Sequence, residues 1–263
     1  MLGQALALSP GHALPAFTAM ASRYFAAMST PPTEARKRLC NNFFGALDNA
    51  GITPNMGAFW ILAGHDSQAT RLNVINPALY TLTPVNSPVH TVDRGWNGDA
   101  VTSYLDTGYN PISAAFMQQD NHHFAVFSLT NNSNTAYKDF GGRMEDVNIV
   151  GTPNFVGSRS ASLNIRSASS TIPTSVALVG ISRSSSSSYR VNIDGVLNST
   201  ITETSSGLSN SNYAILAKNN NGTIQGYSAR RVGIVSVGRN LSTGQWSAYN
   251  AAARAYLTGI GAL

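Results

Sequence analysis

Two periods of apolar residues divide this chain. Up to about residue 80 they recur at three- and four-residue spacing, which predicts helices; beyond Val101 they alternate with polar residues in runs of about five to ten, which predicts strands. Residues 15–29, PAFTAMASRYFAAMS, read as a first helix. Residues 30–52 read as a second: Thr33 caps it, Glu34 sits in its first turn, Leu39, Phe43, Phe44 and Leu47 form one face, and Gly51 stops it. A third helix is expected over 56–73, with Phe59, Trp60, Leu62 and Ala63 as its buried side. Residues 74–92 mix prolines with alternating apolar positions, so they are expected to be extended chain wrapping a surface.

Strands are expected in TSYLDTGY, HHFAVFSLT, VNIVGT, SASLNIRS, SVALVGISRS, SYRVNIDG, LNSTITET, YAILAKN and RRVGIVSVG. Turn chemistry such as TNNSN, SSGLSNSN and KNNNGT separates them. Strands in succession with no helix between them predict an antiparallel β-sandwich. A terminal amphipathic helix follows, capped by Ser242 or Thr243, with Trp246, Tyr249, Ala253 and Tyr256 on one face and Gly259 and Gly261 at its end. The expected fold is therefore mainly β, with an N-terminal helical segment over 1–80 and a sandwich over 81–263 that closes on a helix.

Composition narrows the function. Only 11% of the 263 residues are charged, against roughly 25% in an average soluble domain, while Ser, Thr, Asn and Gly abound. The net charge of +5 is spread out, and its one dense knot, EARKRL at 34–39, reads as a solvated helix face, so no nucleic-acid partner is expected. A single cysteine, Cys40, rules out an internal disulfide. No stretch approaches the roughly 20 apolar residues that span a bilayer, and the first residues lack the positive charge of a secretory signal. A protein of this kind working outside a cell is expected to arrive there by lysis or as part of a particle.

The succession SYRVNIDGVLNSTITETSSGLSNSNYAILAKN, followed by RRVGIVSVGRNLSTGQWSAYNAAARAYL, resembles the middle and end of concanavalin A-like, laminin-G-like jelly rolls. SYLDTGYNP is similar to their entering strand, with Leu105 in the core and Tyr104 and Asp106 facing the other way. The arrangement as a whole, with RLNVINP, DRGWNGD and YLDTGYNP in order, resembles bacteriophage and prophage structural proteins that carry such a sandwich on a tail fibre or head spike. That resemblance implies a virion protein, homo-oligomeric, contacting other virion proteins and recognising host surface polysaccharide, with the helical segment 1–80 supplying subunit contacts or docking to the particle through FFGAL and AFWILAG.

The three glutamates, Glu34, Glu145 and Glu203, do not reproduce the Glu-x-Asp-x-x-Glu pattern of the family's glucanases, and adjacent Glu145 and Asp146 would point to opposite faces of a strand. No Gly-x-Ser-x-Gly is present, and GHDSQ at 64–68 does not make a triad by adjacency. His122 and His123 alternate on a strand and match no zinc spacing. No catalytic residue and no cofactor are therefore expected, with a calcium ion held by Asp93, Asp99 and Asp106 as the alternative left open. Sugar binding needs an aromatic face and a few hydrogen-bonding groups, for which Trp96, Asp99, Tyr109, Asn131, Tyr137, Arg143 and Tyr189 are the expected contacts, beside Asn110, Asn132 and Arg190. A decoration protein without ligand, and a glycan-cleaving hydrolase using Asp99 or Asp106, are the rival readings.

Overall fold

A computed structural model describes residues 16–132, 134, 136–150, 155–164, 166–167 and 174–263. The apolar start at 1–15, the end of the expected strand VNIVGT at 151–152 and Ile165 within SASLNIRS lie outside the described residues; of SASLNIRS only Arg166–Ser167 is strand, and 160–164 are bends and irregular chain. Two helices open the chain: α1 (Ala19–Ala26), whose Thr18 cap accepts from Ala21 N–H, and α2 (Glu34–Asn49), capped by Thr33 as expected. Cys40, Phe43, Phe44 and Leu47 form the buried side of α2.

The third expected helix is a strand, β1 (Met56–Ile61). A continuous apolar run looks the same to periodicity whether it is a buried helix or a strand buried on both faces. Here Ala58, Trp60 and Leu62 enter one core while Phe59, Ile61 and Ala63 enter another, which is the two-residue period of a strand.

Two antiparallel sheets follow. Sheet A runs β13 (Val196–Thr202), β12 (Ser188–Ile193), β11 (Leu178–Arg183), β6 (His122–Ser128), β17 (Arg231–Gly238), β4 (Gly95–Asn97), β3 (Val89–Thr91). β1 shares one edge of β17 with β4, taking Ile234–Gly238 while β4 takes Arg231–Val232. Sheet B runs β10 (Arg166–Ser167), β9 (Phe155–Arg159), β8 (Asp146–Val150), β7 (Phe140–Gly141), β14 (Ala214–Ile215), β5 (Tyr104–Asp106), β2 (Thr83–Val85). A short hairpin, β15 (Lys218–Asn220) and β16 (Thr223–Gln225), continues from β14, and α3 (Pro111–Ala114) follows β5. Leu105 is fully buried whereas Tyr104 and Asp106 are half-buried, as the resemblance implied.

The inner faces of the sheets enclose one core, and the outer face of sheet A carries a second. On β6, Phe124 and Val126 point inward while Ala125 and Phe127 meet the helices. Helix α4 (Thr243–Gly259), opened by a reciprocal Ser242–Gln245 capping box, lies over sheet A beside α2. Trp246 lies against Gly180 of β11, where a Cβ would fall 2.2 Å from two ring carbons. Phe43 of α2 packs on Phe59, Tyr249 and Tyr256 with centroid separations of 5.5, 6.5 and 5.5 Å. Phe43, Phe44 and Leu47 of FFGAL, and Phe59, Trp60, Ile61 and Leu62 of AFWILAG, are thus buried within the chain itself. No helix among the described residues is long and apolar enough to cross a membrane.

Because Phe43 joins both helices to sheet A, Phe43→Ala is expected to lower the free energy of unfolding by about 3–5 kcal/mol, a large part of the about 5–15 kcal/mol of a typical domain. Urea denaturation monitored by tryptophan fluorescence measures it; a loss below about 1 kcal/mol would mean that the helical layer does not unfold with the sandwich.

Candidate functional site

Burial corrects three of the expected sugar contacts. Trp96, Tyr109 and Tyr189 lie in the inter-sheet core at 4%, 0% and 1% exposure, so their rings offer no face to a ligand. Each fills a gap between sheets and satisfies its polar end or stacks internally: Trp96 Nε1 donates to Thr70 Oγ1, Tyr109 stacks on Tyr213, and the Tyr189 hydroxyl meets Ser158 Oγ at 3.0 Å. Asp99 is exposed, but its carboxylate accepts from the N–H groups of Val101, Thr102 and Ser103 and from the Thr102 hydroxyl. Those donors hold its carboxyl well below the usual carboxylate range and close a turn.

Asn131 and Tyr137 do belong to one neighbourhood, gathered by Arg230. This buried guanidinium pairs with Asp139, donates to the carbonyls of Asn132 and Asn134, and lies 5.4 Å from the centre of the Tyr137 ring. Asn131 Oδ1 is taken by Ser175 N–H. Arg143 is half-buried on the turn after β7. The three aspartates named for calcium are not brought together: Asp93 forms a two-pronged ion pair with Arg36 of α2, Asp99 closes its own turn, and Asp106 accepts from Gly108 N–H and Asn212. Among the described residues no three His, Cys, Asp or Glu converge as metal ligands.

The register of sheet B places a different set on its outward face. Arg159, Asp146, Gly141, Ala214, Asp106 and Thr83 are successive cross-strand partners, while the adjacent row, with Val147, Phe140, Ile215 and Leu105, points into the core. At five strand spacings the outward row extends ~24 Å. At one end Tyr104 stands beside Asp106 on the same face, its ring 6.3 Å from that of Tyr227, and both rings are half-buried. Asn212 Nδ2 donates to Asp106 Oδ1 at 3.1 Å. At the other end Asp146 is buried under three cations: its Oδ2 lies 2.7 Å from Arg159, 3.4 Å from Lys218 and 4.0 Å from Lys138, while Oδ1 has no hydrogen-bond partner. Burial and the neighbouring cations lower the Lys218 pKa, against the pull of Asp146.

Glu145 and Asp146 take opposite sides of sheet B, as their adjacency predicts. Glu145 is sealed inside, its Oε2 accepting from the Tyr213 hydroxyl at 2.9 Å and from Ser209 N–H at 3.2 Å, and burial pushes its pKa up to about 7. His122 and His123 likewise alternate, toward Ser160 and toward Ser236, and burial lowers each to about 4. In GHDSQ, His65 contacts the carbonyl of Thr30 and Asp66 caps the following turn at Gln68 and Ala69. The helical layer carries an apolar dimple of about 130 Å3 between α2 and α4, floored by Phe43 and Tyr256, with little in it to orient a sugar.

Comparison with known proteins extends this geometry. No family model matches the sequence, and no curated protein does. Among solved structures, botulinum neurotoxin type C, described as dependent on two ganglioside molecules for getting into cells, superposes with a TM-score of 0.55 at 10% identity over 78% of this chain and 53% of its own. A Trypanosoma rangeli sialidase mutant with trans-sialidase activity gives 0.51 at 12% identity, over 80% of this chain and 37% of its own. Trypanosoma rangeli sialidase with the inhibitor DANA gives 0.51 at 9%, over 81% and 38%. The fold is an antiparallel β-sandwich. The chain spans about half the length of the neurotoxin chain and less than half of the sialidases, and at such identities the likeness is one of fold.

The buried groups set a pH dependence. Glu145 holds its proton more tightly folded than unfolded, so the stability it contributes is present below about pH 4.5 and lost as the pH rises through about 7. His122 and His123 act the other way, contributing above pH 6.5 and losing that contribution as the pH falls through about 4. Glu145→Gln removes the first effect and keeps the second, so its urea midpoint relative to wild type is expected to shift in the variant's favour between about pH 5 and about pH 8. A difference independent of pH would contradict the buried, proton-holding carboxyl.

Proposed function

We propose that this chain is a non-enzymatic glycan-binding module, displayed in several copies on a virion, and that the outward face of sheet B receives the sugar. The observation that carries the reading is the pairing of Tyr104 and Tyr227 beside Asp106 and Asn212 on that face. Half-exposed rings supply a stacking surface, and the carboxylate and amide next to them can take up hydroxyl groups. The opposite face, the outside of sheet A, is filled by α1, α2 and α4. The dependence of the neurotoxin neighbour on ganglioside molecules for getting into cells supports sugar recognition on a sandwich of similar fold.

The virion setting rests on the low charge, the hydroxyl- and amide-rich composition and the resemblance of the motif succession to phage structural proteins. Display in several copies would turn weak sugar contacts into avidity. The carboxyl groups weigh against hydrolysis: Glu145, the one poised near neutral pH, is sealed from solvent, and Asp99 and Asp106 accept hydrogen bonds from their own turns.

The test is adsorption to host cells and to a glycan array by wild type and by a Tyr104→Ala/Tyr227→Ala variant with an unchanged unfolding midpoint. Each ring contact is worth about 0.5–1.5 kcal/mol, so the variant is expected to bind a monovalent oligosaccharide several-fold to about a hundredfold more weakly. Unchanged binding by the variant would move the site off this face, and absence of binding by the wild type would leave a decoration protein without ligand.

A further inference from the structure

The cation cluster at the far end of the row carries more positive charge than its one carboxylate balances. Arg159 gives Asp146 a single charge-assisted hydrogen bond, to Oδ2 at 2.7 Å, and Oδ1 stays without a hydrogen-bond partner. Lys218 and Lys138 converge on the same oxygen from two other segments, at 3.4 and 4.0 Å, so three positive charges face one negative one. Their side chains are only 10% and 12% exposed, and Arg159 only 14%. Holding surplus like charges together in so covered a place is unfavourable unless an anion joins them. The flexible four-carbon arms of the lysines keep enough exposure to turn their ammonium groups toward such an anion while Arg159 stays on Asp146.

We propose that Lys138 and Lys218, steadied by the Arg159–Asp146 pair, form an anion subsite that selects glycans bearing a carboxylate or sulfate group. The proposal rests on the glycan-binding reading above and deepens it by naming the substrate class. Asp146 and Asp106 belong to the same cross-strand row, three strands apart, which places the subsite ~14 Å from the Asp106–Tyr104 end. Gly141 and Ala214, between the two ends, are buried, so an oligosaccharide that stacks one unit near Tyr104 and presents the anionic group of a later unit to the lysines passes over the side chains that cover them. A monosaccharide cannot reach both ends.

The experiment is calorimetric titration of the full chain with three hexasaccharide probes: a galacturonate hexamer, a sulfated galactose hexamer and a neutral galactose hexamer. Wild type is expected to bind at least one anionic probe about tenfold or more tighter than the neutral one, with the preference shrinking as salt is raised through the screening range; the two anionic arms separate carboxylate from sulfate. Lys138→Gln/Lys218→Gln should lose the preference while keeping the neutral affinity, and Lys218→Arg, which preserves charge, should retain it even where the double variant folds poorly. Equal binding of neutral and anionic probes by the wild type overturns the subsite and leaves glycan binding standing. Binding of none of the three overturns both, and a preference that survives in a folded double variant, or equal binding of duplex DNA, overturns the subsite.

Discussion

The central strands of sheet A are buried on both faces, and the rest of the molecule follows from that constraint. Its strands β6, β11 and β17 alternate between two apolar layers, so a second layer has to cover the face that sheet B does not. Helices α2 and α4 supply it, meeting the strands through Phe43, Trp246, Tyr249 and Tyr256. Gly180 makes room for the Trp246 ring, so a glycine on a central strand sets how closely α4 approaches. With that face closed, the face left to solvent is the outside of sheet B, where Thr83, Tyr104 and Asp106 are exposed or half-buried while Gly141, Ala214 and Asp146 are covered.

The same logic separates structural polar groups from available ones. Arg36–Asp93 ties α2 to the turn before β4, and Arg230–Asp139 anchors the loop that carries Asn132 and Tyr137. In both, one guanidinium faces one carboxylate and contacts both of its oxygens. The group around Asp146 does not balance: the cations outnumber the carboxylate, one carboxylate oxygen is unpartnered, and two ammonium groups stand farther off than Arg159.

Much of the architecture was legible because period and capping are local. The caps of α2 and α4, the buried face of Trp246, Tyr249, Ala253 and Tyr256, the Leu105 alternation and the opposite facing of Glu145 and Asp146 all depend on neighbours in sequence. β1 was not legible as a strand, since MGAFWI is apolar throughout and only the presence of two cores reveals its alternation. The sugar contacts were misread where an aromatic beside turn formers suggested exposure: Trp96 and Tyr109 are the fillers of the core, and the half-buried ring is Tyr104. Lys138, Asp146, Arg159 and Lys218 meet only through the register of sheet B and its hairpin, which nothing local in the sequence records.

The central claim is that ligand binds the outward face of sheet B, and hydrogen–deuterium exchange of the full chain with and without a saturating anionic hexasaccharide tests it most directly. The account predicts slowed exchange in peptides covering 104–106, 138–146 and 214–227, with 39–47 and 246–257 unchanged. Protection confined to the helical layer, or to the turn at 99–103, would contradict it.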